Sequence, residues 1–367
     1  MSLSLASSPA ARRIRVMVAD DSAVIRGLIS RAIEAEPDIE IVASVPDGRA
    51  AVSALQRTPV DVIVLDVDMP VMDGLTAIPL LVKAVPGIKI VMASTHTQRN
   101  AKITLDALAK GAADYILKPS ASRELLGPAA FHRELLEKIR ELGGRSAAVT
   151  PSVVPVGTPQ PSASGQPKRL SLRPAPTLPP QIIAMGSSTG GPQALFRVLK
   201  DLAPGAKIPI LVAQHMPATF TAILAGHITR QCGVPAVEAT DGLTPEPGCI
   251  YVAPGNFHMT VDATRTIRLN QDPPENYCRP SVDPMLRSLA ALYGARVLAV
   301  ILTGMGHDGL SGSRAVVEAG GAVFAQDEAT SVVWGMPGAV AVAAFCSAVL
   351  PVAEIGPRLR PYALGKA

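Results

Sequence analysis

Aromatic residues are scarce in this chain of 367 residues: Phe, Tyr and Trp make up 3% of it, with a single Trp. Proteins that track single strands of nucleic acid stack bases on aromatic side chains, so this poverty speaks against that class. Cysteine is scarcer still. Cys232, Cys249, Cys278 and Cys346 lie far apart with no C-x-x-C pair, which argues against a zinc site or disulfide framework and fits a reducing cytoplasm. Long hydrophobic runs are missing too. The longest, Ala339–Val352, is Ala-rich, broken by Ser347 and Pro351, and too short to span a bilayer. The start, Met1–Arg13, lacks the basic flank and apolar stretch of a signal peptide. The chain reads as soluble and cytoplasmic.

Neither half carries an excess of one charge sign. The net charge is +4, yet residues 1–144 hold 17 Lys/Arg against 17 Asp/Glu, and residues 181–367 hold 13 against 13. The surplus (Arg145, Lys168, Arg169 and Arg173) lies between them. No basic domain is available to follow phosphates, and no helix-turn-helix signal is present, so a DNA-binding output is disfavoured.

What is present is apolar residue in quantity, at 48% against 17% charged, which permits sizeable cores and excludes wholesale disorder. The length predicts two domains. Residues 145–180 contain nine prolines and no acidic residue, the composition of an extended, semi-stiff linker. The predicted division is a flexible tail at 1–13, a first domain at 14–144, the linker at 145–180 and a second domain at 181–367.

In the first domain, strands are predicted at Ile14–Ala19, Ile39–Val45, Val60–Leu65, Ile88–Ala93 and Asp114–Leu117. Helices are predicted at Val24–Ala35, Arg49–Gln56, Thr76–Val85, Asn100–Lys110 and Ala129–Leu142. Alternation of continuous apolar strands with helices implies a parallel sheet covered on both faces. Pro79 falls near the start of the third helix, where the first turn tolerates it. The second half repeats the style. Ile182–Met185 leads into Gly186-Ser187-Ser188-Thr189-Gly190-Gly191 and a helix through Leu199. Ile208–Ala213 ends at Gln214-His215-Met216-Pro217, and Val297–Leu302 at Thr303-Gly304-Met305-Gly306-His307-Asp308-Gly309 before a helix through Ala319. A Gly/Pro-rich region of short strands and turns, roughly 241–285, lies between. The fold class is α/β: a five-stranded parallel sheet, then a larger doubly wound domain with an irregular β insert.

Carboxylates collect at strand ends of the first domain. Asp20 and Asp21 follow the first strand and Asp66 closes the third, at the sheet edge where such folds place ligands. Gathered carboxylates repel, and oxygen donors favour Mg²⁺ over a softer metal. Ser94 and Lys118 add a hydroxyl and an ammonium, a set suited to receiving a phosphoryl group on a carboxylate. Asp20-Asp21 read alone is more often an N-cap pair than a metal site, and the spacing of all five elements reverses that preference. The five elements together resemble the response-regulator receiver family, in Val18-Ala19-Asp20-Asp21-Ser22, Leu65-Asp66 through Asp73-Gly74, Ser94-Thr95 and Tyr115-Ile116-Leu117-Lys118-Pro119. The resemblance implies Asp66 as phospho-acceptor, with Asp20, Asp21, Asp66 and the Asp68 carbonyl around Mg²⁺. It implies Lys118 as phosphate partner, Ser94 as switch hydroxyl and Tyr115 as switch aromatic.

Gly186-x-Ser188-x-Gly190 between a strand and a helix suits a nucleophile elbow, and equally a phosphate cradle. With Ser188 in the second glycine's place it is not a dinucleotide fingerprint. His215 ends a buried strand on the same sheet edge. His307 and His258 lie in turns, while His96, His132 and His227 have no such setting. Asp308 follows another apolar strand and can fix an imidazole tautomer.

The order Ser188–His215–Asp308 differs from that of α/β-hydrolases. It resembles instead the CheB family of chemotaxis protein-glutamate methylesterases, as do Gly186–Gly191, Gln214–Pro217, Ala253-Pro254-Gly255, Arg279-Pro280-Ser281-Val282-Asp283, Leu302–Gly306, Asp308-Gly309 and Gly335-Met336-Pro337. The resemblance implies Ser188 as nucleophile, His215 as base and then acid, and Asp308 as orienting carboxylate. Backbone N–H groups around Thr189 and Met305 are then the oxyanion donors, and no cofactor serves the esterase chemistry. Where the family often has Asn and Ala, this chain has His307 and Ser187, the latter read as a turn residue. The implied substrates are glutamyl methyl esters on chemoreceptor cytoplasmic domains, with deamidation of receptor glutamines through the same intermediate. A chemotaxis histidine kinase is the implied phosphodonor, and the unphosphorylated receiver is expected to cover the active-site edge. The rival reading is a second domain that only binds receptors; Ser188→Ala leaves signalling intact in that case.

Overall fold

The computed structural model describes residues 12–95, 97–119, 128–144, 170–176 and 178–366. Most of the predicted tail and linker, and His96, lie outside the described residues. Within 170–176, Arg173 N–H donates to Cys346 O at 2.8 Å, so this stretch lies against the second domain.

Ten elements alternate in the first domain. They are β1 (Ile14–Ala19), α1 (Ala23–Glu34), β2 (Ile39–Val45), α2 (Gly48–Leu55), β3 (Val62–Asp66), α3 (Gly74–Ala84), β4 (Lys89–Ser94), α4 (Gln98–Ala109), β5 (Asp114–Leu117) and α5 (Pro128–Leu142). The strands form a parallel sheet in the order β2-β1-β3-β4-β5. The side chains of Ser22, Asp47, Asp73 and Thr97 each accept an otherwise free N–H from the first turn of the following helix, which fixes where α1 to α4 begin. Asp20 and Asp21 are therefore not the helix cap. Because Asp73 starts α3 earlier than predicted, Pro79 sits in its second turn rather than its first. Its ring nitrogen leaves the Leu75 carbonyl without an i to i+4 donor.

The second domain contains β6 (Ile182–Ser187), α6 (Gly191–Leu202), β7 (Ile210–Gln214), α7 (Ala218–Cys232), β8 (Ala236–Glu238), β9 (Ile250–Val252), β10 (His258–Val261), β11 (Ile267–Asn270) and α8 (Val282–Tyr293). It continues with β12 (Val297–Ile301), α9 (Leu310–Glu318), β13 (Ala322–Gln326), α10 (Met336–Val342), β14 (Ala348–Leu350) and α11 (Val352–Ala363). Seven strands pair in parallel in the order β14-β13-β12-β6-β7-β9-β8, and β10-β11 form the separate antiparallel insert. β3, β6, β7, β12 and β13 are buried at every residue, as a sheet covered on both faces requires. The apolar run at 339–352 is divided among α10, β14 and α11, and no helix among the described residues is long and apolar enough to cross a membrane.

Chain order reverses around β6, whose neighbours are β7 and β12; in the first sheet it reverses between β1 and β3. Both switch points open a crevice at the carboxyl ends of the strands. The domains meet through α4, which lies against α6 and α7. Tyr115 of β5 stacks on Phe220 of α7 with centroids 4.7 Å apart, within one apolar cluster that also holds Leu105, Leu108, Phe196 and Leu224.

Candidate functional site

The first crevice gathers Asp20, Asp21 and Asp66, whose carboxylate oxygens lie within 4.8 Å of one another. Asp66 closes β3 and Asp20 follows β1, so adjacent strands deliver them. Lys118, just past β5, places its ammonium 2.6 Å from Asp20 and 2.6 Å from Asp66. Burial pushes the Asp66 carboxyl up to about 6; Lys118 opposes that rise and the neighbouring Asp20 adds to it. One ammonium thus serves two buried carboxylates, and hard oxygen donors at this spacing fit Mg²⁺. Ser94 is fully buried and accepts from Thr104 Oγ1 at 2.9 Å. The Asp68 side chain accepts from Asn100 at 3.2 Å.

The second crevice brings together the ends of β7, β6 and β12, which carry His215, Ser188 and Asp308. His215 Nε2 lies 2.7 Å from Asp308 Oδ2. His307 is exposed, and its imidazole has no hydrogen-bond partner among the described residues. His258 is buried, bonded to Pro273 O and accepting from Ser281 N–H, a packing role. Asp308 also accepts from Ser281 Oγ at 2.8 Å, Asn276 Nδ2 at 3.0 Å and Gly309 N–H at 2.8 Å. The first free N–H groups of α8, those of Val282 and Asp283, complete the set at 2.6 and 3.1 Å. A helix N-terminus favours an anion. Although burial alone would raise it, this cage of donors with His215 foremost holds the Asp308 carboxyl down at about 2. Burial disfavours a charged His215, but the bonds to Asp308 and Cys278 outweigh it and lift the imidazole to about 10.

Ser188 is half-buried on the turn after β6. Its N–H donates to Thr303 O at 3.0 Å, and its carbonyl accepts from Gln214 Nε2 at 2.9 Å. Gly190 follows in the left-handed region at φ 74°, where a side chain would be strained. A Cβ on Gly304 would come within 2.9 Å of Ser188 Cβ, so glycine there lets the loop after β12 reach the serine. The amides of Thr189 and Met305 have no protein acceptor among the described residues. Ser188 Oγ makes no hydrogen bond to His215 among them; His215 Nδ1 instead meets Cys278 Sγ at 3.3 Å.

The first domain lies directly over this edge. Thr189 Oγ1 donates to Asp114 Oδ2 at 2.8 Å, Gln193 Nε2 donates to Ala112 O, and Met305 packs against the cluster holding Ile116 and Phe131. Asp114 also pairs with Lys138 of α5.

Sequence reasoning missed Cys278, Asn276 and Gln214. Cys278 and Asn276 lie in the turn-rich insert, where the only signal was their position just before Arg279-Pro280-Ser281. Ser187, read as a turn residue, ends β6, and its hydroxyl donates to Gln214 Oε1 at 2.6 Å, orienting the amide that holds Ser188.

Fold and site define a two-domain class: an acid-lined receiver sheet docked on a parallel α/β domain whose crevice carries Ser, His and Asp. Residues 16–129 match the response regulator receiver domain model, and residues 183–359 match the CheB methylesterase model. A protein-glutamate methylesterase/protein-glutamine glutaminase of Azospirillum brasilense is 57% identical, over 95% of this chain and 93% of its own. A protein of the same name, of the group 2 operon of Rhodospirillum centenum, is 56% identical over 96% of this chain and 95% of its own. The crystal structure of the Thermotoga maritima CheB methylesterase catalytic domain is 39% identical, covering 50% of this chain and 98% of that one, with a TM-score of 0.48. The chain belongs to the CheB methylesterase family, with an N-terminal receiver domain.

Proposed function

We propose that this protein hydrolyses γ-methyl esters of glutamate on the cytoplasmic domains of chemoreceptors, and deamidates glutamines there, under control of phosphorylation at Asp66. The observation that carries this reading is the His215–Asp308 pair beside the Ser188 turn, with two amides at the same edge that have no partner among the described residues. Residues 14–144 act as the switch and 181–367 as the esterase, in the cytoplasm.

Ser188 attacks the ester carbonyl while His215 takes its proton. The amides of Thr189 and Met305 receive the oxyanion, where losing one donor costs roughly 10²–10³ in rate. His215 returns the proton to departing methanol, then deprotonates the water that cleaves the glutamyl-enzyme. Asp308 holds the imidazole tautomer and its charge. A glutamine substrate releases ammonia by the same path.

In the switch, Asp66 accepts the phosphoryl group from a histidine kinase. Mg²⁺ held by Asp20, Asp21, Asp66 and the Asp68 carbonyl would supply positive charge to the phosphoryl oxygens. Lys118 leaves its two carboxylates for the phosphate, and Ser94 turns from Thr104 toward it. Tyr115 moves with Ser94, and its stack on Phe220 is the contact through which the motion loosens the interface. The test is methanol release from methylated receptor membranes by the full chain, with and without a small-molecule phosphodonor and Mg²⁺. Release that rises with the donor and vanishes in Ser188→Ala supports the proposal; release retained in Ser188→Ala overturns the triad and favours a domain that only binds receptors.

A further inference from the structure

Of the four cysteines, two are buried thiols pushed up by that burial, Cys232 to about 11 and Cys346 to about 12. Cys249 is half-buried, and its sulfur donates to the Ile250 carbonyl at 3.8 Å. Cys278 differs in kind. It is half-buried beside fully exposed Tyr277, and its sulfur lies 3.3 Å from His215 Nδ1, whose other nitrogen is held by Asp308. Sulfur, imidazole and carboxylate thus stand in the order of a nucleophile, its base and the group that orients the base. The position is fixed. Asn276, two residues earlier, donates to both Asp283 and Asp308 at 3.0 Å, while Asn276 and Tyr277 are held at φ 52° and 63°. Such left-handed backbone at non-glycine residues persists only where its surroundings over-determine it.

We propose that Cys278 is a site of reversible oxidation by hydroperoxides, and that its oxidation silences the esterase. The sulfur attacks one peroxide oxygen; an S–O bond forms and the O–O bond breaks. Sulfur is oxidised from thiol to sulfenic acid, and the peroxide is reduced to an alcohol, or to water from hydrogen peroxide. His215 Nδ1 gives its proton to the departing oxygen and the thiol proton replaces it on the ring, so atoms and electrons balance. Two equivalents of a small thiol restore Cys278, releasing water and a disulfide. The added oxygen lies between Cys278 and the nitrogen that must face Ser188, and the base is lost to catalysis. This inhibition rests on the esterase reading above; the labelling of the thiol does not.

The experiment treats the full chain with hydrogen peroxide, then divides it. One part is trapped with dimedone and its peptides are weighed by mass spectrometry; the other is assayed for methanol release before and after dithiothreitol. The expected result is a dimedone adduct on Cys278, at least a tenfold loss of release, and recovery on reduction. In Cys278→Ala and Cys278→Ser the ratio of treated to untreated rate stays near one, whatever their starting rates, while Cys249→Ala is inhibited like the parent. A dimedone adduct absent from Cys278, or equal inhibition of both Cys278 variants, overturns the proposal. If the untreated chain releases no methanol, the esterase reading fails by itself and the adduct still decides whether Cys278 is the oxidised thiol.

Discussion

Asp66 and Asp308 occupy comparable places in two parallel sheets, each buried at the carboxyl edge beside a switch point. Their surroundings differ sharply. Asp66 shares one ammonium with Asp20 and accepts one further bond, from the Val67 N–H at 2.7 Å, and burial leaves its carboxyl at about 6. Asp308 accepts six hydrogen bonds, two from the end of a helix, and is held at about 2. A carboxylate with few donors keeps lone pairs free to bond a phosphoryl group. One saturated by donors is fixed in charge and direction and serves to orient another group. The same residue type at the same kind of position is left with free lone pairs in one domain and saturated in the other by the number of donors around it.

Substitutions can break this contrast. The largest effect is expected at Ser188, in the crevice that the saturated carboxylate lines. Ser188→Ala should lower methanol release by about 10⁶-fold, the scale of nucleophile loss in a triad. Next comes Asp308→Asn, expected to cost about 10⁴-fold through the wrong imidazole tautomer, with phosphorylation of Asp66 intact by mass spectrometry. A loss below tenfold would mean that Asp308 is not the orienting group.

A pH profile sharpens the comparison further. His215 is lifted to about 10, so at neutral pH it carries a proton and must lose it to act as a base. Below that value the neutral fraction grows about tenfold per pH unit, and kcat/KM should rise about a hundredfold from pH 7 to 9. With Ser188→Ala as the blank for spontaneous hydrolysis, a flat profile over that range contradicts the assignment. Removing the anionic partner in Asp308→Asn should move the rise to lower pH.

Smaller effects test the switch. Phosphodonor should stimulate the parent on the order of tenfold, within the usual range of coupling between sites, and Asp66→Asn should bring that ratio to one. Smallest of all, Gln193→Ala removes one hydrogen bond between the domains. Its loss should raise the unstimulated rate about twofold to tenfold, the scale of one net hydrogen bond. An unchanged rate would mean that the Ala112 contact does not hold the receiver down.

Much of this is legible in the sequence. Asp20, Asp66, Ser94, Ser188, His215 and Asp308 each end or closely follow a continuous apolar run, and a buried parallel strand delivers its last residue to the ligand edge. Pro79 was misplaced by one turn, because a helix start depends on which side chain caps it, and Asp73 does so. Cys278 and Asn276 escaped notice because the insert carries no periodicity to aim a side chain. Their approach to His215 and Asp308 depends on how the chain folds back across residues far apart in sequence.

The amino-acid sequence alone determined the two α/β domains, their neutral charge, and the residues set along each sheet edge, since these follow from strand period and local punctuation. Only the tertiary structure decided which groups meet. It set Cys278 rather than Ser188 against the second nitrogen of His215, surrounded Asp308 with donors while leaving Asp66 nearly bare, and laid Tyr115 and Asp114 on Phe220 and Thr189. Hydrogen bonding and desolvation act over a few ångströms in space, and distance along the chain carries no record of them.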